Sequence, residues 1–374
     1  MSVRIMLAAG GTGGHLIPAL SVAGELMRRG HAVTAVTDRR GAVLARRVSD
    51  IPVREVRAAS PTGRTMTGKV AAGVTMLAGC VGAFRLIHAE RPAVVAGFGG
   101  YPTIPPLAAA QLRGVPVLIH EQNAVLGRAN RFLAPRARVV ATSFAETCTE
   151  TARRTVTVGV PVRDAIAALN RVAYRPPEPQ EDVNLLVVGG SQGAGIFSTL
   201  LPDSGRCLDG ALRQRLKVVQ QCREEDVERT AAAWRALGVT ATVAPFFEEM
   251  AGYLADAHLV VARAGASTIA ELAVSGRPSV LIPFPGAADD HQTANASVVV
   301  RAGGGWLVDE KETDARSLAA RLESLMTSPA VLARAAGNVR RLAHADAAVA
   351  LAETIEDLAA GNGRACRVLK EQEA

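Results

Sequence analysis

Aromatic residues are scarce. At 3% of 374 residues they cannot furnish the stacking platforms that hold single-stranded nucleic acid. Cysteine is sparse and irregular: Cys80, Cys148, Cys207, Cys222 and Cys366 form no C-x-x-C pair. That argues against structural zinc and a disulfide framework, and for a reducing compartment. Residues 1–9 lead directly into an apolar run, so no signal peptide is expected. The longest apolar stretch, 70–83, is short and glycine-rich for a membrane span. The glycine-rich turn near the N-terminus matches G-x-G-x-x-G poorly and lacks the Gly-Lys-Ser/Thr ending of a phosphate loop, which disfavours NAD and ATP.

What is abundant points to a two-domain α/β protein. A hydrophobic fraction of 49% supports sizeable cores, and 374 residues suit two domains better than one. The formal charge of +7, mostly arginine, suits anionic ligands, nucleic acid or an anionic membrane surface, or else reflects compositional bias.

The chain is organised around Ala9-Gly10-Gly11-Thr12-Gly13-Gly14-His15-Leu16-Ile17-Pro18. An apolar run at 3–8 reads as a buried strand. Ala19, Val22, Ala23 and Leu26 give a helical stripe over 18–29. Glycines in this strand–loop–helix turn permit positive φ and close approach of a ligand. The helix start adds unpaired N–H groups and a positive dipole end, a combination suited to phosphate or diphosphate. His15 is the one side chain there that titrates near pH 7. Two readings stand: a diphosphate cradle with a base at its lip, and a tight turn that packs helix on strand.

Val-, Ile- and Leu-rich runs at 3–8, 32–37, 53–57, 93–97, 115–120, 139–142 and 156–158 alternate with helix-like segments, which predicts an open parallel sheet. Ligands in such sheets bind at the carboxyl ends of strands. The polar loops fall there: Gly10–His15, Gly97-Phe98-Gly99-Gly100-Tyr101-Pro102 and His120-Glu121-Gln122-Asn123. Over 62–90, Arg64, Lys69 and Arg85 flank an apolar stripe of Val74, Leu77, Val81, Phe84 and Leu86. It is either a helix packed on the sheet or one exposed to a membrane surface with basic residues at the head groups.

The proline-rich stretch 171–182 places a domain boundary between Gly159 and Asp182. The same grammar then restarts, with strands expected at 183–188, 216–220, 241–244, 259–262, 279–283 and 306–308, and a second glycine turn at 189–194. Arg263-Ala264-Gly265-Ala266-Ser267-Thr268-Ile269-Ala270-Glu271 ends a strand and opens a helix. Ser267 or Thr268 with Glu271 either cap that helix or face phosphates and a ribose diol. Asp289, Asp290, His291 and Gln292 are placed to orient sugar hydroxyls. No D-x-D or second carboxylate–histidine cluster accompanies them, so no metal is expected.

Taken together, the glycine turns, His120-Glu121-Gln122-Asn123, the 263–271 turn with Glu271, and His291-Gln292 with Asn295 resemble the MurG family, in family order from residue 10 to about 300. The resemblance implies a GT-B fold, α/β, with two Rossmann-like domains facing a cleft. It implies an acceptor- and membrane-associated domain at 1–162 and a UDP-GlcNAc-binding domain at 163–344. A helix at about 345–360 would return to the first domain, with a tail at 361–374. The implied reaction moves GlcNAc from UDP-GlcNAc to the C4 hydroxyl of MurNAc in lipid I, with inversion, giving lipid II and UDP in peptidoglycan synthesis.

Carried over by residue, the resemblance puts uracil at Phe247 through its backbone. Ser191 and Ala266, Ser267, Thr268, Ile269, Ala270 and Glu271 would hold phosphates and ribose, with Glu271 on the ribose. Asn123 and Gln292 would hold the sugar. Arg163 would close the donor site, which Thr12, Gly13 and Gly14 also line. Gly99, Gly100 and Tyr101 would bind the acceptor diphosphate. Val160 stands where the family commonly has Asn. His15 is the expected base, with Glu121 as second choice or as its orienting partner. No cofactor is expected, and helix N-termini would stabilise the departing diphosphate. The implied partners are the donor, the lipid-linked acceptor, the cytoplasmic face of the inner membrane and cell-wall synthesis proteins, not nucleic acid. The rival readings are a GT-B transferase with another acceptor, a UDP-GlcNAc 2-epimerase and a non-catalytic sugar-nucleotide scaffold.

Overall fold

The computed structural model describes residues 2–59, 65–190 and 193–361. Arg64, Ser191, Cys366 and nearly all of the expected tail lie outside them. The chain forms two compact units. One contains the residues up to Arg163 together with those from Asp346 onward; the other is Asp164–Ala345.

The first unit carries β1 (Arg4–Ala8), β2 (Ala32–Thr37), β3 (Val53–Glu55), β4 (Val94–Gly97), β5 (Val117–Glu121), β6 (Val139–Thr142) and β7 (Thr155–Thr157). They form one parallel sheet in the order β3-β2-β1-β4-β5-β6-β7. Side chains alternate across a strand, and in β1 both faces are apolar. Ile5 and Leu7 pack on Leu16, Val22 and Leu26 of the Gly13–Arg28 helix and on Leu351 and Ile355 of the Ala347–Ala359 helix. Met6 and Ala8 point the other way, into a core with Ala83, Ile87 and Leu107. Two apolar faces require helices on both sides, and the Ala347–Ala359 helix supplies part of one layer.

The second unit repeats the plan with β8 (Val183–Val188), β9 (Leu216–Gln221), β10 (Thr240–Ala244), β11 (Leu259–Ala262), β12 (Ser279–Leu281) and β13 (Gly305–Leu307). Their order is β10-β9-β8-β11-β12-β13, all parallel. Val183, Leu185 and Val187 pack with Phe197, Leu201 and Leu318. Every strand expected from the sequence is present, with ends that differ by at most two residues.

The Met66–Glu90 helix meets the length and composition of a membrane-crossing segment, contrary to the expectation that its apolar core was too short. It is nonetheless a packed element. Ala72, Gly79, Ala83 and Ile87 form its buried face. A Cβ on Gly79 would run into the Arg57 carbonyl. The large apolar residues Val70, Val74, Leu77 and Val81 face outward, Leu77 with 69% of its surface exposed.

Candidate active site

The opening turn differs from expectation in two ways. The helix begins at Gly13, not Pro18, so His15 lies in its first turn with its N–H on the Thr12 carbonyl (3.1 Å). Gly10, Gly11, Gly13 and Gly14 are also not among the positive-φ residues. Gly10 and Gly11 serve close approach instead. A Cβ on Gly10 would press on His15 Cδ2 and the Gly99 carbonyl, and one on Gly11 would overlap the Asp38 carboxylate. The second turn is where positive φ occurs: Gly99 at +83° and Gly100 at +81°. Gly10 N–H donates to the Gly99 carbonyl at 2.9 Å, which holds the two glycine turns together. Thr12 caps the first helix with its backbone only.

Asp38 braces this arrangement. Its Oδ1 accepts from Gly41 N–H (2.9 Å) at the start of the Arg39–Val48 helix, and its Oδ2 accepts from the Tyr101 hydroxyl (3.1 Å). Tyr101, expected on the acceptor diphosphate, is thereby anchored beside Gly99 and Gly100.

At the end of β5, Glu121 turns into its own loop. Its Oε1 accepts from Asn123 N–H (3.0 Å) and Asn123 Nδ2 (3.1 Å), and its Oε2 accepts from Gly127 N–H (2.8 Å) and Asn130 Nδ2 (2.7 Å). Four donors on a buried carboxylate make it the organiser of the 121–130 loop, which also sets Asn123. The partner of His15 is Gln122: Nδ1 lies 3.0 Å from its Oε1. Behind Gln122, the fully buried His120 donates Nε2–H to the Gly159 carbonyl (2.8 Å). Burial holds its pKa down to about 4, with that carbonyl working against the shift and His15 adding slightly to it. Gly159 opens the segment to Arg163, in which Val160 is buried, an environment suited to its apolar side chain.

In the second unit, the turn after β8 has Gly190 at φ +80° and Gly193 at +68°. Arg223 lies against Gly193 and Gly195. Phe247, expected at the uracil, is buried with its ring edge-on to Tyr253 (4.9 Å). The Ala266–Ser275 helix has Gly265 as its N-cap and no side-chain cap, which removes the capping-box reading of Ser267, Thr268 and Glu271. An uncapped first turn suits an anionic ligand. Ser267, Thr268, Ala270 and Glu271 are half-buried at that end, while Ala266 and Ile269 are buried and offer backbone. Gln292 Oε1 accepts from Phe284 N–H (2.9 Å), which fixes its amide. Asp289 and Asp290 hold φ of +52° and +50° just before the His291–Arg301 helix. Among the described residues no cluster of His, Cys, Asp and Glu suits a metal ion.

Two residues given no role above brace the turn after β11. Arg263 is buried at the end of β11, its guanidinium 4.9 Å from the Phe197 ring and 5.5 Å from that of Phe284. It donates to the Ile282 and Pro283 carbonyls (3.0 Å each) and pairs with Glu310. Asn295 donates to the Ala264 carbonyl (3.0 Å). Both fix the 263–266 turn. A polar residue inside an otherwise apolar strand end was the available signal; the partners lie up to 47 residues away in sequence and carry no pattern.

The chain matches the glycosyltransferase family 28 N-terminal domain over residues 5–142 and the family 28 C-terminal domain over 184–351. It is 48% identical to the UDP-N-acetylglucosamine--N-acetylmuramyl-(pentapeptide) pyrophosphoryl-undecaprenol N-acetylglucosamine transferase of Rhodospirillum centenum, over 96% of each chain. Its identity to the enzyme of the same name from Granulibacter bethesdensis is also 48%, over 94% of this chain and 93% of that one. The crystal structure of Acinetobacter baumannii MurG superposes with a TM-score of 0.77 at 32% identity, covering 96% of this chain and all of that one. Two parallel-sheet units in GT-B order, both family 28 domains and near-full-length identity agree: the chain belongs to the MurG family of glycosyltransferases.

Proposed function

We propose that this chain transfers GlcNAc from UDP-GlcNAc to the C4 hydroxyl of MurNAc in lipid I, forming lipid II and UDP with inversion at the anomeric carbon. The observation that carries the reading is identity of 43–48% along nearly the whole chain to enzymes named for that transfer. His15 Nε2 takes the hydroxyl proton as its oxygen attacks, and the bond from the anomeric carbon to UDP breaks. Glu121 acts one step removed, by shaping the loop that carries Asn123. The uncapped start of the Ala266–Ser275 helix and the Gly189–Gly195 turn receive the growing diphosphate charge. Ser191, which the resemblance assigns to phosphate, lies outside the described residues. Glu271 holds the ribose, and Asn123 and Gln292 hold the sugar. Thr12, Gly13, Gly14 and Arg163 complete the donor contacts, and Gly99, Gly100 and Tyr101 take the acceptor diphosphate. The exposed face of the Met66–Glu90 helix docks on the cytoplasmic surface of the inner membrane, where a lipid-linked acceptor resides.

The test is radiolabel transfer from UDP-GlcNAc to a short-chain lipid I analogue, with EDTA and with acceptor-free controls. Label on the analogue, unaffected by EDTA, is the expected result. Donor binding without transfer would replace lipid I with another acceptor or a scaffold role. Acceptor-free conversion of the sugar would point to an epimerase.

A further inference from the structure

Gln122 has both ends of its amide committed. Its Nε2–H donates to the Phe98 carbonyl (2.9 Å), an atom that can only accept, so the amide has one orientation and turns Oε1 to His15. Oε1 also can only accept. The hydrogen between it and His15 Nδ1 therefore belongs to the imidazole. His120 secures the same orientation from behind. Its Nε2–H is taken by the Gly159 carbonyl, leaving Nδ1 as an acceptor facing Gln122 Nε2 at 3.4 Å. Held neutral by burial, His120 does not turn into a competing donor. The backbone on the other side is equally constrained, because a Cβ on Gly99 would lie 3.2 Å from the His15 ring.

We propose that Gln122 is a positioning residue that locks His15 in the Nδ1–H tautomer, so that the lone pair of Nε2 faces the acceptor hydroxyl. This rests on His15 being the base. A neutral histidine left to itself favours Nε2–H, the form in which the nitrogen needed for catalysis already carries a proton. The neighbouring carboxylate, Glu121, is occupied by Asn123, Gly127 and Asn130. The site thus aligns its base with an uncharged amide. A carboxylate would align it equally well but would also stabilise the imidazolium and retain the proton after transfer. The amide sets tautomer and direction without that charge.

The experiment uses the full chain with ring-15N-labelled histidine and long-range 1H–15N spectra at about pH 8, where an ordinary histidine is neutral. There are seven histidines, and His15 is assigned as the signal lost in His15→Gln. The expected wild-type pattern is Nδ1 protonated and Nε2 bare. In Gln122→Met the pattern moves toward Nε2–H, and kcat falls on the order of tenfold while KM for UDP-GlcNAc stays within about twofold. Gln122→Glu, which keeps an acceptor against Nδ1, restores the Nδ1–H pattern. A wild-type spectrum with Nε2–H, or an unchanged pattern in Gln122→Met, overturns the proposal; the wild-type spectrum decides even if the variants do not fold. Full turnover in His15→Ala would instead remove the base assignment and leave the tautomer lock standing.

Discussion

His120 has no exposed surface, and its Nε2–H is given to Gly159. Its pKa of about 4 in the folded chain compares with about 6.5 when unfolded. Above pH 6.5 it is neutral in both states and adds no pH dependence. As pH falls from about 6.5 to 4, the unfolded chain takes up a proton that the folded chain refuses. Stability is then lost, by up to about 3 kcal/mol. Thermal unfolding between pH 4 and 7 should show this fall, and His120→Gln should flatten it; an identical slope in the variant would place the effect elsewhere. His15 sits only one amide away, yet its replacement is a test of chemistry. His15→Ala should cut turnover on the order of 10²–10⁴-fold with donor affinity by calorimetry nearly unchanged.

At the scale of elements, the Met66–Glu90 helix inverts the usual pattern of a surface helix. Its small residues face inward because the Arg57 backbone and the neighbouring Ile104–Leu112 helix come too close for larger ones. Met66, Val70, Val74, Leu77 and Val81 are left outside. Leu77→Glu should therefore leave the melting temperature nearly unchanged while weakening co-sedimentation with anionic vesicles. Loss of fold would show that this face is covered by protein. The Ala347–Ala359 helix behaves differently. Leu351 is buried against Val22 and Leu26, and Glu356 pairs with Arg29 and His31 (2.8 Å each). Leu351→Ala should cost about 2–5 kcal/mol, expressed in the unfolding of the first unit; a cost confined to the second unit would contradict the packing described here.

For the whole molecule, chain order and structural membership do not coincide. The last described helix completes the unit with which the chain begins, and the two units divide after Arg163 and before Asp346. Each unit follows one plan, a parallel sheet with its polar turns after β1, β4 and β5 in one and after β8, β11 and β12 in the other. This repetition puts the proposed base and acceptor-diphosphate residues on the first unit, and most of the proposed donor contacts on the second.

The strands, their alternation with helices, the restart near residue 183 and the positions of the polar turns were all legible in the residues. These depend on local periodicity and on short motifs, which survive in a linear reading. Three matters were decided only by tertiary structure. One is which face of the 66–90 helix is buried, since backbone approach at Gly79 outweighs side-chain hydrophobicity there. Another is why the opening glycines are glycines: Gly10 and Gly11 meet Gly99, Gly100 and Asp38 across the sheet, and their φ values need no glycine. The last is the partner of His15. Glu121 and Gln122 are adjacent, and nothing local says which faces the imidazole. The four donors around Glu121 turn the carboxylate into its own loop and leave the amide, tethered to Phe98, to hold His15.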